Sequence, residues 1–308
     1  MISGHGIILH IIESRKLSLH IETIINALSH NPVSFLPRGE LFINKDILDH
    51  FFYEYKGQYI KQLETAAQCL GLSLIGVGLD GERSESLLSE MRYKELEQYF
   101  TVGCINGPIA GLIESHGFFN AMLSIKNNPS LFSGIVTKLL RDIEKKAKLA
   151  QTNGFRAIAI ADDIAGNKGL LFSYDYFVDT VRPVYKEIAE IIKKNDLFTF
   201  FHSDGDTRKV IDPLIRAGYD CIHPIDTQAG LNLHELKKEF GNRVSFMGHI
   251  DTTAWSKEQI HKEISLAEDK FKTGGLILGS SSGLSVETLS DKLNVLYPQT
   301  FHFFLDKK

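Results

Sequence analysis

The chain has 308 residues, 43% of them hydrophobic and 23% charged, the balance of a folded globular protein. A formal net charge of −4 leaves no basic excess, so a nucleic-acid partner has no electrostatic footing. Cys69, Cys104 and Cys221 stand far apart with no CxxC, which argues against a disulfide scaffold or a cysteine-rich zinc knot.

The opening stretch MISGHGIILHIIES carries an apolar patch but neither a basic n-region nor a small-residue cleavage site. No stretch approaches the roughly 18 apolar residues of a membrane span. The expectation is a cytoplasmic protein with no membrane partner. Residues 1–30 read as an N-terminal helical extension, with His5, His10, His20 and His30 as surface or helix residues.

From there to the end, residues 31–308, short apolar runs alternate with amphipathic segments. The runs are Val33–Leu36, Leu72–Val77, Thr101–Ile105, Ala157–Ala161, Leu197–Phe201, Asp220–His223, Val244–Met247 and Leu276–Gly279. Most are continuous rather than alternating, as in parallel strands covered on both faces. Between them the pattern predicts helices over Ile47–Leu70, Pro129–Ala150, Tyr174–Asn195, Leu231–Phe240 and Lys257–Lys272. Asn232 is placed as an N-cap and Gly241 as a C′ residue. The closing YPQTFHFF reads as a helix on the barrel wall. Eight strand–helix units without a linker predict one (β/α)8 TIM barrel. Leu36-Pro37-Arg38-Gly39-Glu40 is not GxGxxG and no Walker A motif occurs, so no nucleotide cofactor is expected.

In this fold the C-terminal strand ends form the active-site mouth. They carry Arg38 and Glu40, Asp80, Asn106, Asp162-Asp163, His202 and Asp204, His223 with Asp226 and Gln228, His249 and Asp251, and Ser280-Ser281-Ser282. His202-x-Asp204 and His249-x-Asp251 each put an imidazole and a carboxylate on one side of an extended backbone. Such groups suit proton transfer near neutrality or a metal centre of nitrogen and oxygen donors. Asp162 directly follows Ile160-Ala161 and is taken as the pocket residue, whereas Asp163 and Asp226 are taken to cap helices or pin loops. Arg38 is the expected local counter-charge, with Lys168 and Arg208 behind it. Trp255 is read as packing or a lid.

The chain resembles the superfamily of uroporphyrinogen decarboxylase and the corrinoid-linked methyltransferases, from about Ser18 to the end. The resemblance rests on NPVSFLPRGEL, INGPIAG, ADDIAGNKGLLFSYDYF with VRPVYKEI, FFHSDGD, IRAGYDCIHPID, VSFMGHID and GGLILGSSSGLSVETL. It implies a (β/α)8 barrel and an enzyme moving a methyl group between a small substrate and a corrinoid on a partner protein. The coenzyme M branch binds zinc through H-x-C after strand five and a cysteine after strand eight. Here His202 is kept, Asp204 stands for the first cysteine and serines for the second. The nitrogen and oxygen metal set left by those replacements is His202 and Asp204 with His249, or alternatively Glu40, and zinc is the implied ion. On this reading His202, Asp204 and Asp162 are catalytic. Arg38, Glu40, Asp80, Asn106, His223, Gln228 and Asp251 bind substrate.

The decarboxylase branch grips its acidic tetrapyrrole with an arginine-rich opening segment, for which this chain has only Arg38. A cofactor-free decarboxylase acting on a smaller acid is the alternative reading. A zinc amidohydrolase-like barrel follows it, and a non-enzymatic binding barrel comes last. Oligomeric state is left open, a homodimer included.

Overall fold

The computed structural model describes residues 19–80, 96–281, 283–285 and 292–298. Eight parallel strands follow one another around a barrel: β1 Gly39–Glu40, β2 Leu74–Gly78, β3 Phe100–Asn106, β4 Ala157–Ala161, β5 Phe198–His202, β6 Cys221–His223, β7 Ser245–Ile250 and β8 Leu276–Ser280. Parallel bridges Arg38↔Leu278 and Ile43↔Leu284 close β1 onto β8, and the Leu278 amide donates to the Pro37 carbonyl at 2.8 Å. A (β/α)8 TIM barrel is therefore what the strand–helix alternation builds.

The helices are α1 over 19–28, α2 Lys45–Phe51, α3 Tyr59–Leu70, α4 Pro108–His116, α5 Phe118–Asn127 and α6 Pro129–Thr152. Next come α7 Arg182–Lys193, α8 Arg208–Ala217, α9 Leu233–Phe240, α10 Lys257–Lys270 and α11 Leu293–Leu296. Their starts follow local chemistry. Proline opens α4 and α6, the Asn232 side chain accepts from the His234 and Glu235 amides at α9, and Ser256 with Gln259 forms a capping box at α10. Among the described residues no helix is long and apolar enough to cross a membrane.

Two expectations shift. The first strand is not Val33–Leu36 but Gly39–Glu40, paired with Leu74 and Ile75. Pro37 lacks the amide a strand interior needs, and of the run before it Val33 packs against the barrel floor, its amide on the Lys272 carbonyl, while Leu36 joins the outer layer. The single helix expected over Ile47–Leu70 is two, divided by the Tyr53–Tyr55 turn and by Gly57 at φ 85°. The Tyr174–Asn195 stripe does form one helical run, which passes through a π turn at Phe177–Val181 before α7. Residues 299–304 of the expected closing helix lie outside the described residues.

The core has two layers. Leu74, Phe100, Val102, Ala157, Ala159, Phe200, Cys221, Met247 and Ile277 fill the barrel, and Ile24, Ala27 and Leu28 of α1 join them. The alternating residues, Ile75, Ile105, Ile158, Ile160, Phe201, Ile222 and Leu278, face outward into the helices. Helix α1 is thus the floor of the barrel, held by Gly275 N and Ser245 Oγ, which both donate to the Ala27 carbonyl.

Glu40 belongs to the outer layer. It is 1% exposed and accepts bonds from the Ser280 amide (2.8 Å), the Ser280 hydroxyl (3.0 Å) and the Tyr297 hydroxyl. Burial pushes its carboxyl up to about 7 despite those bonds. Expected in the mouth as a substrate residue, it is instead a clasp across the β1–β8 seam. Glu40→Ala should lower the unfolding free energy by about 3 kcal/mol in chemical denaturation, because three buried donors lose their acceptor. A stability change below measurement error would show that the clasp is dispensable.

Candidate active site at the strand ends

At the end of β5, His202 shares the inward face with Phe198 and Phe200, four and two residues earlier. At the end of β6, His223 projects the same way behind Cys221. The two rings meet with Nδ1 atoms 2.8 Å apart, so one nitrogen carries the proton and the other accepts it. Phe42 covers both edge-on, at centroid distances of 4.7 Å from His202 and 6.1 Å from His223. Burial drives the His202 imidazole down to about 4, Asp163 opposing, and burial with the neighbouring His202 drives His223 well below its ordinary value. Both rings are neutral at pH 7, with lone pairs available.

Three carboxylates stand around this pair. Asp163 Oδ1 lies 3.6 Å from His202 Nε2 and accepts the Asp204 amide at 3.0 Å. Asp226 accepts the amides of Gly205, Gln228 and Ala229, which turns the loops after β5 and β6, as expected of a pinning residue. Burial, then repulsion from Asp163 and Asp226, pushes the Asp204 carboxyl up to about 6. Donor atoms of Asp163, His202 and Asp204 all lie within 4.8 Å of one another. One nitrogen and two oxygens fit a divalent ion of borderline hardness. A thiolate-rich zinc centre does not fit, since Cys104 and Cys221 are buried in the barrel layer.

The two aspartates after β4 exchange the parts the sequence reading assigned them. Asp162 is fully buried and accepts from the Ile109 amide (3.1 Å), the Ala110 amide and the Tyr185 hydroxyl (2.7 Å). It caps the N-terminus of α4 and ties it to α7. A Cβ on Gly107 would sit 2.3 Å from Asp162 Cγ, so only glycine permits this approach. The parity of β4 foretells the exchange: Asp162 continues the outward series Ile158, Ile160. Asp163, taken for a cap, is the one beside His202.

The other expected residues disperse. Arg38 donates from Nε to the Leu296 carbonyl at 2.8 Å and faces Glu268 at 3.9 Å, so its guanidinium is turned to α10 and α11. Asp80 pairs with Lys146 at 2.9 Å and joins Asn106 in a cleft of about 610 Å³ between α4 and α6, which His202 does not line. Asp251, 1% exposed, accepts from the Thr253 and Ala254 amides, the Thr253 hydroxyl and Gln228. Burial pushes its carboxyl up, but those bonds win and hold it below the usual range. His249 is bonded to Glu263 on α10, and the two groups of potential metal donors, one holding His202 and the other His249, share no residue. Ser280 is committed to Glu40.

Burial pushes the Asp162 carboxyl up to about 7 against its three bonds. It binds a proton more tightly folded than unfolded. Its contribution to stability is therefore complete below about pH 4 and lost as pH rises through 7, at a cost on the order of a few kcal/mol. Asp162→Asn keeps an acceptor but cannot ionise. Its melting temperature relative to the parent should rise between pH 5 and pH 8. A constant difference across that range would mean that Asp162 does not titrate there.

Comparisons with known proteins agree with this geometry at the level of family and fold. Among curated protein sequences none matches the chain. A methyltransferase from Methanosarcina mazei superposes with a TM-score of 0.73 at 14% identity, over 92% of this chain and 99% of that one. The endo-1,4-beta-mannanase of Rhizomucor miehei reaches 0.55 at 11% identity, over 88% of this chain and 95% of that one. At such identities both likenesses speak to the barrel alone. The family model described as uroporphyrinogen decarboxylase (URO-D) matches residues 93–298, about two thirds of the sequence and the stretch that holds β3 to β8. On that match the chain belongs to the uroporphyrinogen decarboxylase (URO-D) family.

Proposed function

We propose that the protein is a methyltransferase, moving a methyl group between a small substrate and a corrinoid carried by a partner protein. The observation that carries this reading is the mouth itself: a neutral His202 braced by His223 and faced by Asp163 and Asp204. Family membership and the likeness in fold to the Methanosarcina mazei methyltransferase support it.

A divalent ion held by His202, Asp163 and Asp204 would supply Lewis acidity toward the oxygen or nitrogen that bears the methyl group. His223 fixes the orientation of the His202 ring and leaves Nε2 turned toward Asp163. Phe42 shields both rings from water on one side. Removing a methyl group as a cation leaves the demethylated atom in need of a proton. Where no ion is held, Asp204, with its carboxyl pushed up to about 6, is instead the group able to hold and deliver that proton near neutrality. Three carboxylates at the mouth favour a neutral or cationic substrate, of the methoxylated or methylamine kind, over a polyanion.

The assay is methyl transfer from methylamines and methoxylated compounds to a cob(I)alamin acceptor, followed by loss of the reduced corrinoid absorbance. Asp204→Asn and His202→Ala should each lower kcat/KM by about 100-fold. Asp204→Asn should leave the melting temperature unchanged, because its side chain is at the rim. Full activity in either variant would overturn the assignment. Carbon dioxide release from a small acid without methyl transfer would favour the decarboxylase alternative.

Uroporphyrinogen should not be decarboxylated at an enzymatic rate. Arg38, the counter-charge an acidic tetrapyrrole would need, is engaged by Leu296 and Glu268. Conversion to coproporphyrinogen, measured by porphyrin fluorescence after oxidation, would contradict this.

A further inference from the structure

The second group of donors sits behind the barrel wall. By the alternation of β7, His249 should face inward with Met247. Gly248 and His249 instead adopt φ values of 91° and 89°. A Cβ on Gly248 would touch Pro224 at 3.3 Å and the His223 ring at 3.5 Å, so the glycine takes the inward place. His249 is turned outward, packed edge-on against Trp255 at 5.4 Å, and only 5% of its side chain is exposed.

Its Nε2 lies 2.9 Å from Glu263 Oε1 on α10. His234, in the first turn of α9, aims its own Nε2 at the same oxygen from 2.6 Å. The three donor atoms lie within 4.8 Å of one another.

Hydrogen bonding alone uses this arrangement poorly. Two imidazoles crowd one carboxylate oxygen, and among the described residues the buried Nδ1 atoms of both find no partner. A residue other than glycine in the left-handed region is strained, and such strain persists where the surroundings demand a particular aim. Two imidazole nitrogens and one carboxylate oxygen are the donors of a zinc site with an open fourth position, whereas calcium and magnesium prefer oxygen alone. Partial exposure of His234 (17%) and Glu263 (19%) gives an ion a way in.

The geometry points to a second metal site, in which His234, His249 and Glu263 bind a divalent ion of the zinc class and tie the end of β7 to α9 and α10. The site shares no residue with the His202 group, so it stands whether or not the proposed activity is correct.

The full chain, stripped with a chelator, is titrated with zinc(II) for stoichiometry and with cobalt(II) for its visible absorption. Glu263→Gln, close in shape to the parent, and His234→Ala should each lose one equivalent of metal. His202→Ala and Asp204→Asn should keep that equivalent. Zinc at a hundredfold excess over its dissociation constant should raise the melting temperature of the parent by about 4 °C, and that of Glu263→Gln by less. No zinc bound by the parent, or an unchanged equivalent in Glu263→Gln, would overturn the site. So would loss of the only equivalent in His202→Ala.

Discussion

The alternation of side chains along a closed parallel barrel governs every other feature of this molecule. Each strand of the barrel divides its residues between an inner layer, floored by α1, and an outer layer under the helices. A polar residue at a strand end inherits one of those two fates from the apolar residues two positions before it. His202 follows Phe200 inward and Asp162 follows Ile160 outward. The first arrives at the mouth, and the second becomes the cap of α4.

Burial then gives each fate its chemistry. Outer-layer acids such as Glu40 and Asp162 are buried among donors, and among the described residues no cation offsets that burial, so they hold protons up to about pH 7 and act as clasps. Burial outweighs the attraction of Asp163 and keeps the inner-layer imidazoles neutral. Neutral imidazoles beside a rim of carboxylates make a site that can receive a cation rather than one that has neutralised itself. Among the described residues the charged group acting on His202 is Asp163 and no arginine or lysine does, which separates this mouth from one built for a polycarboxylate.

His249 shows how a local backbone choice can overrule the alternation. Two successive residues in the left-handed region place glycine where the histidine would have stood. The mouth loses one ligand by this, and the wall gains a cluster with His234 and Glu263. Trp255, expected as packing or a lid, lies against that cluster rather than over the mouth.

Much of this was legible in the sequence. The continuous apolar runs and the stripes between them specify eight strand–helix units, and the caps at Asn232 and Gly241 set helix ends by local chemistry. His202, Asp204 and His223 could be placed at strand ends for the same reason. Asp163 was within reach too, because counting by twos from Ala157 and Ala159 assigns it to the inner series. What only the tertiary structure decided are the partners. Glu40 finds Tyr297 from 257 residues away, Arg38 finds Leu296 across 258, and His249 finds Glu263 on a neighbouring helix. Those contacts depend on how the ring of helices closes around the barrel and on left-handed φ values that no pattern of residue types specifies. Periodicity determines which face a side chain takes; only the packed barrel determines what it meets there.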